Sequence, residues 1–216
     1  MKIPLLQKTD IDYRNYFVDS ISDEDDFFEM VEQKYPTIIL DVFDHTLDAA
    51  DPQIELLSNE YFRLCQEHKY LGFIEDVFAA NGNQCYIEFV LDRNYEFIAS
   101  TLEGMDRIDK LLFLHQVINR DSIARLSQQF NVEDKFCASH QKMGISEIYL
   151  IEDVNLLKMF LKGILRETFG CNSIYFHEKS LLLFSNYDLS IPIIIKNSDD
   201  TAMYKQIAHQ HNLYFR

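Results

Sequence analysis

Ser173-Ile174-Tyr175-Phe176-His177, Leu181-Leu182-Leu183-Phe184-Ser185 and Ile191-Pro192-Ile193-Ile194-Ile195-Lys196 are three short, β-rich apolar runs separated by polar breaks. Their composition and spacing predict successive strands of one sheet, a hairpin over 173–186 and a further strand over 190–196. Pro192 cannot donate a ladder bond, so the last of these strands is expected at an edge or with a bulge near its start. A long amphipathic pattern precedes the block. Asp153 is its N-cap, its stripe is Leu157, Phe160, Leu161, Ile164, Leu165 and Phe169, and Gly170 closes it. A final helical pattern follows, over 199–211.

Further upstream, Ser22 followed by Asp23, Glu24, Asp25 and Asp26 predicts a helix start, because carboxylates in a first turn favour the positive end of the helix dipole. Phe27, Met30, Val31 and Tyr35 supply that helix with an apolar face, and Pro36 stops it. Residues 38–42 read as a buried strand. Asp51-Pro52 opens a second helix, with proline at its first position. Its apolar repeat is Leu56, Leu57, Tyr61, Leu64, Cys65 and His68, continuing through Phe73, Val77 and Phe78 to Asn81-Gly82-Asn83, residues that tolerate a left-handed end. Residues 85–91 and 95–99 read as a hairpin about Asp92-Arg93-Asn94, with a helix over the same residues as the alternative. Ile108, Leu111, Leu112, Leu114 and His115 mark a helix over 105–117. Shorter helices are expected over 121–130 and 134–143, and a strand over 146–151.

The fold class expected is therefore α+β: a mostly antiparallel sheet (hairpin 173–186, strand 190–196, and strands near 37–42, 84–99 and 146–151) packed against several amphipathic helices. The chain divides into an acidic front half (1–100), a helical connector (101–145) and a helix-sheet-helix module (146–216), expected to form one compact unit.

With 47% hydrophobic and 13% aromatic residues, the chain has ample material for a core. No apolar run is long enough to span a bilayer, and the first ten residues lack a secretory signal. Cys65, Cys85, Cys137 and Cys171 are irregularly spaced, without a CxxC pair, which points to free thiols and a cytoplasmic location. The net charge of −15 is uneven: residues 1–60 hold 15 Asp and Glu against 4 Lys and Arg. Such a front third repels phosphate backbones and attracts basic surfaces.

The Pro36–Val42 run, Asn59-Glu60-Tyr61-Phe62-Arg63 leading through Phe73-Ile74-Glu75-Asp76-Val77-Phe78 into 86–91, and Ile174-Tyr175-Phe176 through Leu182-Leu183-Phe184 to Tyr187-Asp188 together resemble an uncharacterised bacterial family, a domain of unknown function sometimes associated with toxin-immunity loci. The resemblance implies an α+β fold. Members continue Tyr-Asp with Asp-Arg-Gly, whereas Leu189-Ser190 follows here, so any role of that tripeptide does not carry over.

The residues with chemical potential have ordinary readings beside the sharper ones. Leu40-Asp41-Val42-Phe43-Asp44-His45-Thr46-Leu47 looks like the Asp-x-Asp-Gly-Thr-Leu of haloacid-dehalogenase phosphatases. That alignment puts Val42 at the nucleophile and His45 at the turn glycine, so the chemistry fails. Residues 123–143 resemble a helix-turn-helix, but Lys135, His140 and Lys142 are too few basic anchors for DNA. His209 and His211 diverge on a helix, and a surface pair is the plainer reading. Cys65 and His68, three apart on one helical face, are placed to meet, and a core thiol beside a half-buried imidazole explains them equally well. His177 and Glu178 sit at a predicted turn. Lys158, Lys162 and Arg166 form a basic stripe, read as the solvated face of its helix, with pairing to the acidic front third as an option. Six glycines in all leave little for a phosphate loop. No cofactor or metal site is read from the sequence.

The function expected is that of an acidic cytoplasmic interaction protein of immunity or inhibitor type. Its partner would be a basic protein, with a toxin as the candidate, and neither nucleic acid nor a membrane. Asp23, Glu24, Asp25 and Asp26 are the expected contacts. The alternatives are an enzyme with an active site not visible in the sequence, and a helix-turn-helix regulator.

Overall fold

The computed structural model describes residues 7–18, 26–48, 50–57, 59–90, 102–103, 105–117, 146–166, 171–186 and 189–216. Its strands are β1 (Gln7–Lys8), β2 (Thr37–Asp41), β3 (Cys85–Val90), β4 (Ser146–Ile151), β5 (Cys171–Phe176), β6 (Leu181–Phe184), β7 (Ile191–Ile195) and β8 (Tyr214–Phe215). They form one open sheet in the order β1-β4-β3-β5-β6-β7-β2-β8, antiparallel at every described pairing. Helices α1 (Phe27–Lys34), α2 (Ile54–Leu57), α3 (Glu60–Ala80), α4 (Arg107–Val117), α5 (Val154–Leu165) and α6 (Thr201–Gln210) complete the α+β fold.

Strand alternation explains why the runs of β6 and β7 are apolar without a break. Leu181, Leu183, Ile191, Ile193 and Ile195 enter one core with Cys85, Ile87, Phe89, Ile174 and Phe176, under α3, α5 and α6. Leu182, Phe184, Ile194 and Tyr175 point to the opposite face and pack with Tyr13, Phe17, Val18 and Val31. That second face is covered by the segment before β2, a 3-10 turn at Tyr13–Tyr16 followed by α1. A sheet covered on both sides has little use for polar alternation, and each fully buried Leu or Ile contributes about 1.5–3 kcal/mol.

Several boundaries differ from the expectation. The first helix begins at Phe27 rather than after Ser22. Asp26 caps it, its Oδ1 accepting from the amides of Phe28 (2.9 Å) and Glu29 (3.3 Å). The 51–80 pattern is two helices, because Asn59 accepts from the Phe62 amide (3.0 Å) and starts α3 anew. The buried side of α3 is the expected one at Phe73, Val77 and Phe78, but not in the first half of the helix. Tyr70, Phe73, Ile74, Val77 and Phe78 are buried, while Tyr61 and Leu64 are 79% and 48% exposed and Cys65 and His68 face solvent. The reading of Cys65 as a core thiol is thereby overturned. On α4 likewise, Phe113 and Asp109 are buried and Ile108 and Leu111 exposed.

β7 is neither an edge strand nor bulged at Pro192, since it pairs with β6 on one side and β2 on the other. Proline is tolerated there for a local reason. Ile39 exchanges both backbone bonds with Arg216 (2.8 and 3.0 Å), so its pairing with Pro192 is the non-hydrogen-bonded kind. On the other side the ladder with β6 has already ended at Ile193. The first arm of the expected 85–99 hairpin is β3, whose two edges are taken by β4 and β5. Its second arm lies outside the described residues.

The end of α3 is fixed by one buried amide. Asn81 donates from Nδ2 to the Val77 carbonyl (2.8 Å) and to the Tyr204 hydroxyl (3.1 Å), and its Oδ1 accepts from the Lys179 amide (3.0 Å). Gly82 and Asn83 then take the expected left-handed conformation, with φ of 69° and 59°.

Candidate ligand site

The most site-like feature lies on the sheet face under the first segment, where one cross-strand row brings together residues distant in sequence. Glu88 pairs with Ser173, and Ser173 with Phe184, so the three side chains stand side by side on β3, β5 and β6. Immediately beyond Glu88 the β3–β5 register shifts, Phe89 pairing with Cys171, so Asn172 is an extra residue of β5. Irregularities of this kind re-aim side chains, and they recur beside sites. Pro192, past the end of the β6–β7 ladder, extends the row.

Over this floor the 3-10 turn places Tyr13 and Arg14. Tyr13 is fully buried, and its hydroxyl bonds to Glu88 Oε2 (2.9 Å) and to Ser173 Oγ. Ser173 Oγ lies 3.4 Å from the same carboxylate oxygen. Burial pushes the Tyr13 phenol well above its ordinary value, and the Glu88 charge pushes it further in the same direction. Arg14 is held by Asp12 through two bonds of 2.7 Å, from Nε and Nη2, while its Nη1 lies 4.0 Å from Glu88 Oε1. The bond to Asp12 raises the Arg14 pKa, and the bond to Arg14 lowers that of Asp12.

Between these groups and the first turn of α1 is a cavity of about 690 Å³, lined by Arg14, Asp26, Phe27, Phe28, Glu88, Ser173, Phe184, Ser185, Asn186 and Pro192. One wall is aromatic: Phe28 and Phe27 meet Phe184 with ring centroids 4.7 and 5.8 Å apart. The floor and rim are polar. Asn186 donates to the Ser190 carbonyl (2.9 Å), which fixes the rim across the loop. A pocket of this size, with apolar walls and a few convergent polar groups, matches the usual form of a small-molecule site.

The residues singled out in the sequence are placed as follows. Of the four expected partner contacts, Asp26 caps α1 at the cavity rim, while Asp23, Glu24 and Asp25 lie outside the described residues, as do 123–143 and Tyr187-Asp188. Asp41 is a buried structural anchor. Its Oδ2 accepts from Arg216 Nε (3.0 Å) and Nη2 and from Ser190 Oγ (3.0 Å), and its Oδ1 from the Phe43 amide (3.2 Å). His45 bridges Asp44 (2.8 Å) and Asp51 (3.0 Å) at the surface. His177 has a partner, the Tyr175 hydroxyl at 3.2 Å from Nδ1, and its ring lies against Tyr16. His211 pairs with Asp76 (2.7 Å), and His209 packs near Tyr214. His68 Nδ1 reaches the Cys65 carbonyl (2.8 Å) rather than its thiol.

The basic stripe of α5 is not simply a solvated face, and its partners come from α3 and α4 rather than the acidic front third. Lys158 bonds Glu75 (2.5 Å), Lys162 bonds Asp106 (2.8 Å) and Asp109 (2.7 Å), and Arg166 makes two bonds of 2.8 Å to Glu67. Burial of Asp109 raises its pKa. At Asp106 burial acts in the same sense but is outweighed by hydrogen bonds from the Asp109 amide and Lys162, which hold it below the ordinary range.

Arg14, Glu88 and Ser173 were not picked out in the sequence, being 74 and 85 residues apart in succession along the chain. One signal was available: Glu88 is a lone carboxylate inside the apolar run 85–90. Among the described residues, no three His, Cys, Asp or Glu side chains gather as a metal site, and no helix is long and apolar enough to cross a membrane. Comparisons with protein-family models, curated proteins and solved structures gave no match to the chain.

Proposed function

We propose that this is a binding protein whose ligand occupies the cavity between the first segment and the sheet. The observation that carries this reading is the Glu88–Ser173–Phe184 row. It presents a carboxylate, a hydroxyl and an aromatic ring side by side under Arg14 and the start of α1, around about 690 Å³ of space. A thermal-shift screen of small molecules on the wild type and on Ser185→Trp tests it, because Ser185 is exposed at the rim and a bulky ring there closes the mouth. Compounds that stabilise the wild type are expected to lose their effect on the variant. Equal stabilisation of both proteins would remove the cavity from consideration.

A second reading, favoured by the charge of the front third, is capture of a basic protein, which fits the resemblance to immunity-associated proteins. Its support is the balance of 15 acidic to 4 basic residues in 1–60, with Glu29 and Glu32 exposed on α1. Reversing the charge at Asp23, Glu24, Asp25 and Asp26 should then abolish partner capture at low salt. Unchanged capture would end this reading.

A further inference from the structure

We infer that the cavity selects a small amphipathic amine, a molecule with one ammonium group and an aromatic or aliphatic body; this rests on the reading of the cavity as a ligand site. The charge around the space decides the sign of the ligand. Among the described lining residues, Asp26 and Glu88 are carboxylates, against the guanidinium of Arg14. That guanidinium is already engaged: its Nε and Nη2 are bonded to Asp12, and Nη1 faces Glu88 at 4.0 Å. An entering carboxylate would have to compete with Asp12 for Arg14 and would sit beside Glu88, with no second positive group among the described lining residues. An ammonium meets Glu88, which is 7% exposed and so acts from a medium of low screening, together with the Ser173 hydroxyl beside it. The chain's net charge of −15 works the same way, concentrating cations and excluding anions.

The rest of the lining fixes the body of the ligand. Phe27, Phe28 and Phe184 form a continuous ring surface on one side, and Pro192 closes the floor beyond Phe184. Aromatic faces accept both an apolar body and the flank of a cation. Glu88 and Phe184 are separated along the row only by Ser173, two strand spacings of about 4.8 Å each, which suits a two- or three-carbon spacer between ammonium and ring.

The test compares three probes of one shape: 2-phenylethylamine, 2-phenylethanol and 3-phenylpropionate. Each is titrated into the full chain and followed by calorimetry and by the NMR signals of Phe27, Phe28 and Phe184. The amine is expected to bind about tenfold more tightly than the alcohol, with the propionate weakest. Glu88→Gln should weaken the amine about tenfold and Asp26→Asn about threefold, with little change for the alcohol. Asp26→Asn keeps a residue that caps helices well, so it reads the charge even if Glu88→Gln fails to fold. Preference for the alcohol or the propionate, or an amine affinity indifferent to both substitutions, overturns the amine assignment and leaves the cavity as a ligand site. Absence of binding by all three probes to the folded protein overturns the amine assignment too, and the Ser185→Trp screen then decides the broader reading separately.

Discussion

A methyl group placed on Gly72 would lie 2.4 Å from Nδ1 of His211, so the middle of α3 and the end of α6 meet at a contact only glycine permits. The imidazole so admitted pairs with Asp76, one turn further along α3. Gly72→Ala sets two effects against each other. Alanine favours the helix by about 1 kcal/mol, and displacing the ring from Asp76 works against it. The ring displacement is expected to win, with a net loss of about 1 kcal/mol in urea unfolding. In a His211→Ala background the same change should stabilise by about 0.5–1 kcal/mol. Equal effects in both backgrounds would show that the ring is not the obstacle.

Tyr13 fastens the first segment to the sheet through Glu88 and Ser173. Tyr13→Phe keeps the ring and removes the hydroxyl, at an expected cost of about 1–2 kcal/mol at neutral pH. The phenol also has a pH signature. Its pKa is raised on folding, so its contribution is complete below the unfolded value near 10 and is lost as pH rises beyond it. The wild type should therefore lose stability above about pH 10 more steeply than Tyr13→Phe, as measured by denaturant midpoints.

Lys158 and Lys162 test whether burial or mere pairing matters on α5. Glu75, the partner of Lys158, is half exposed, whereas Asp109, a partner of Lys162, is 5% exposed. Lys158→Met should cost under about 1 kcal/mol. Lys162→Met leaves Asp109 buried beside Asp106 without the ammonium that bonds both, and should cost about 3 kcal/mol. The reverse order in urea midpoints would place the stabilising charge at the surface.

His45 gains two carboxylate partners on folding, and hydrogen bonds to Asp44 and then Asp51 raise its pKa. Its contribution is fully present below the ordinary histidine value of about 6.5 and is lost as pH rises through the higher folded value. An NMR titration should find His45 above that of a denatured reference, and His45→Ala should flatten the fall in stability over that window. Superimposable pH profiles would discount the bridge.

Legibility varied with how directly side-chain pattern reports burial. The strands near 37–42, 146–151 and 173–196 were readable, because short apolar runs rich in β-branched residues and leucine, bounded by polar breaks, have few other uses. The buried side of α3 was legible at Phe73, Val77 and Phe78 but not in the first half of the helix. That helix carries apolar residues nearly all round, so Tyr61-Leu64-Cys65 and Tyr70-Phe73-Val77 are both acceptable stripes, and only packing selects the second. Glu67 adds to the confusion, being a buried carboxylate that belongs to the core side through its pairing with Arg166. The candidate site was hidden for another reason. Glu88, Ser173 and Phe184 become neighbours only through strand register, and Arg14 joins them from the turn laid over the sheet, neither of which a local pattern encodes. The acidic run drew attention by composition, yet its described member, Asp26, is occupied in starting a helix.

The position of β2 has a consequence for the order of events in synthesis. Both of its neighbours, β7 and β8, lie within residues 191–215, more than 150 residues after their partners in β2. A ribosome that has made Thr37–Asp41 must therefore extend the chain past Ile194 before Ile38, Ile39 and Leu40 can find their ladders. Until then that apolar segment is an open template for other strands. Closure across so long an interval also makes sheet completion a late and slow step. The nascent chain is thus vulnerable to misassembly until β7 has emerged, and chaperone engagement should persist until the residues of β7 have cleared the exit tunnel.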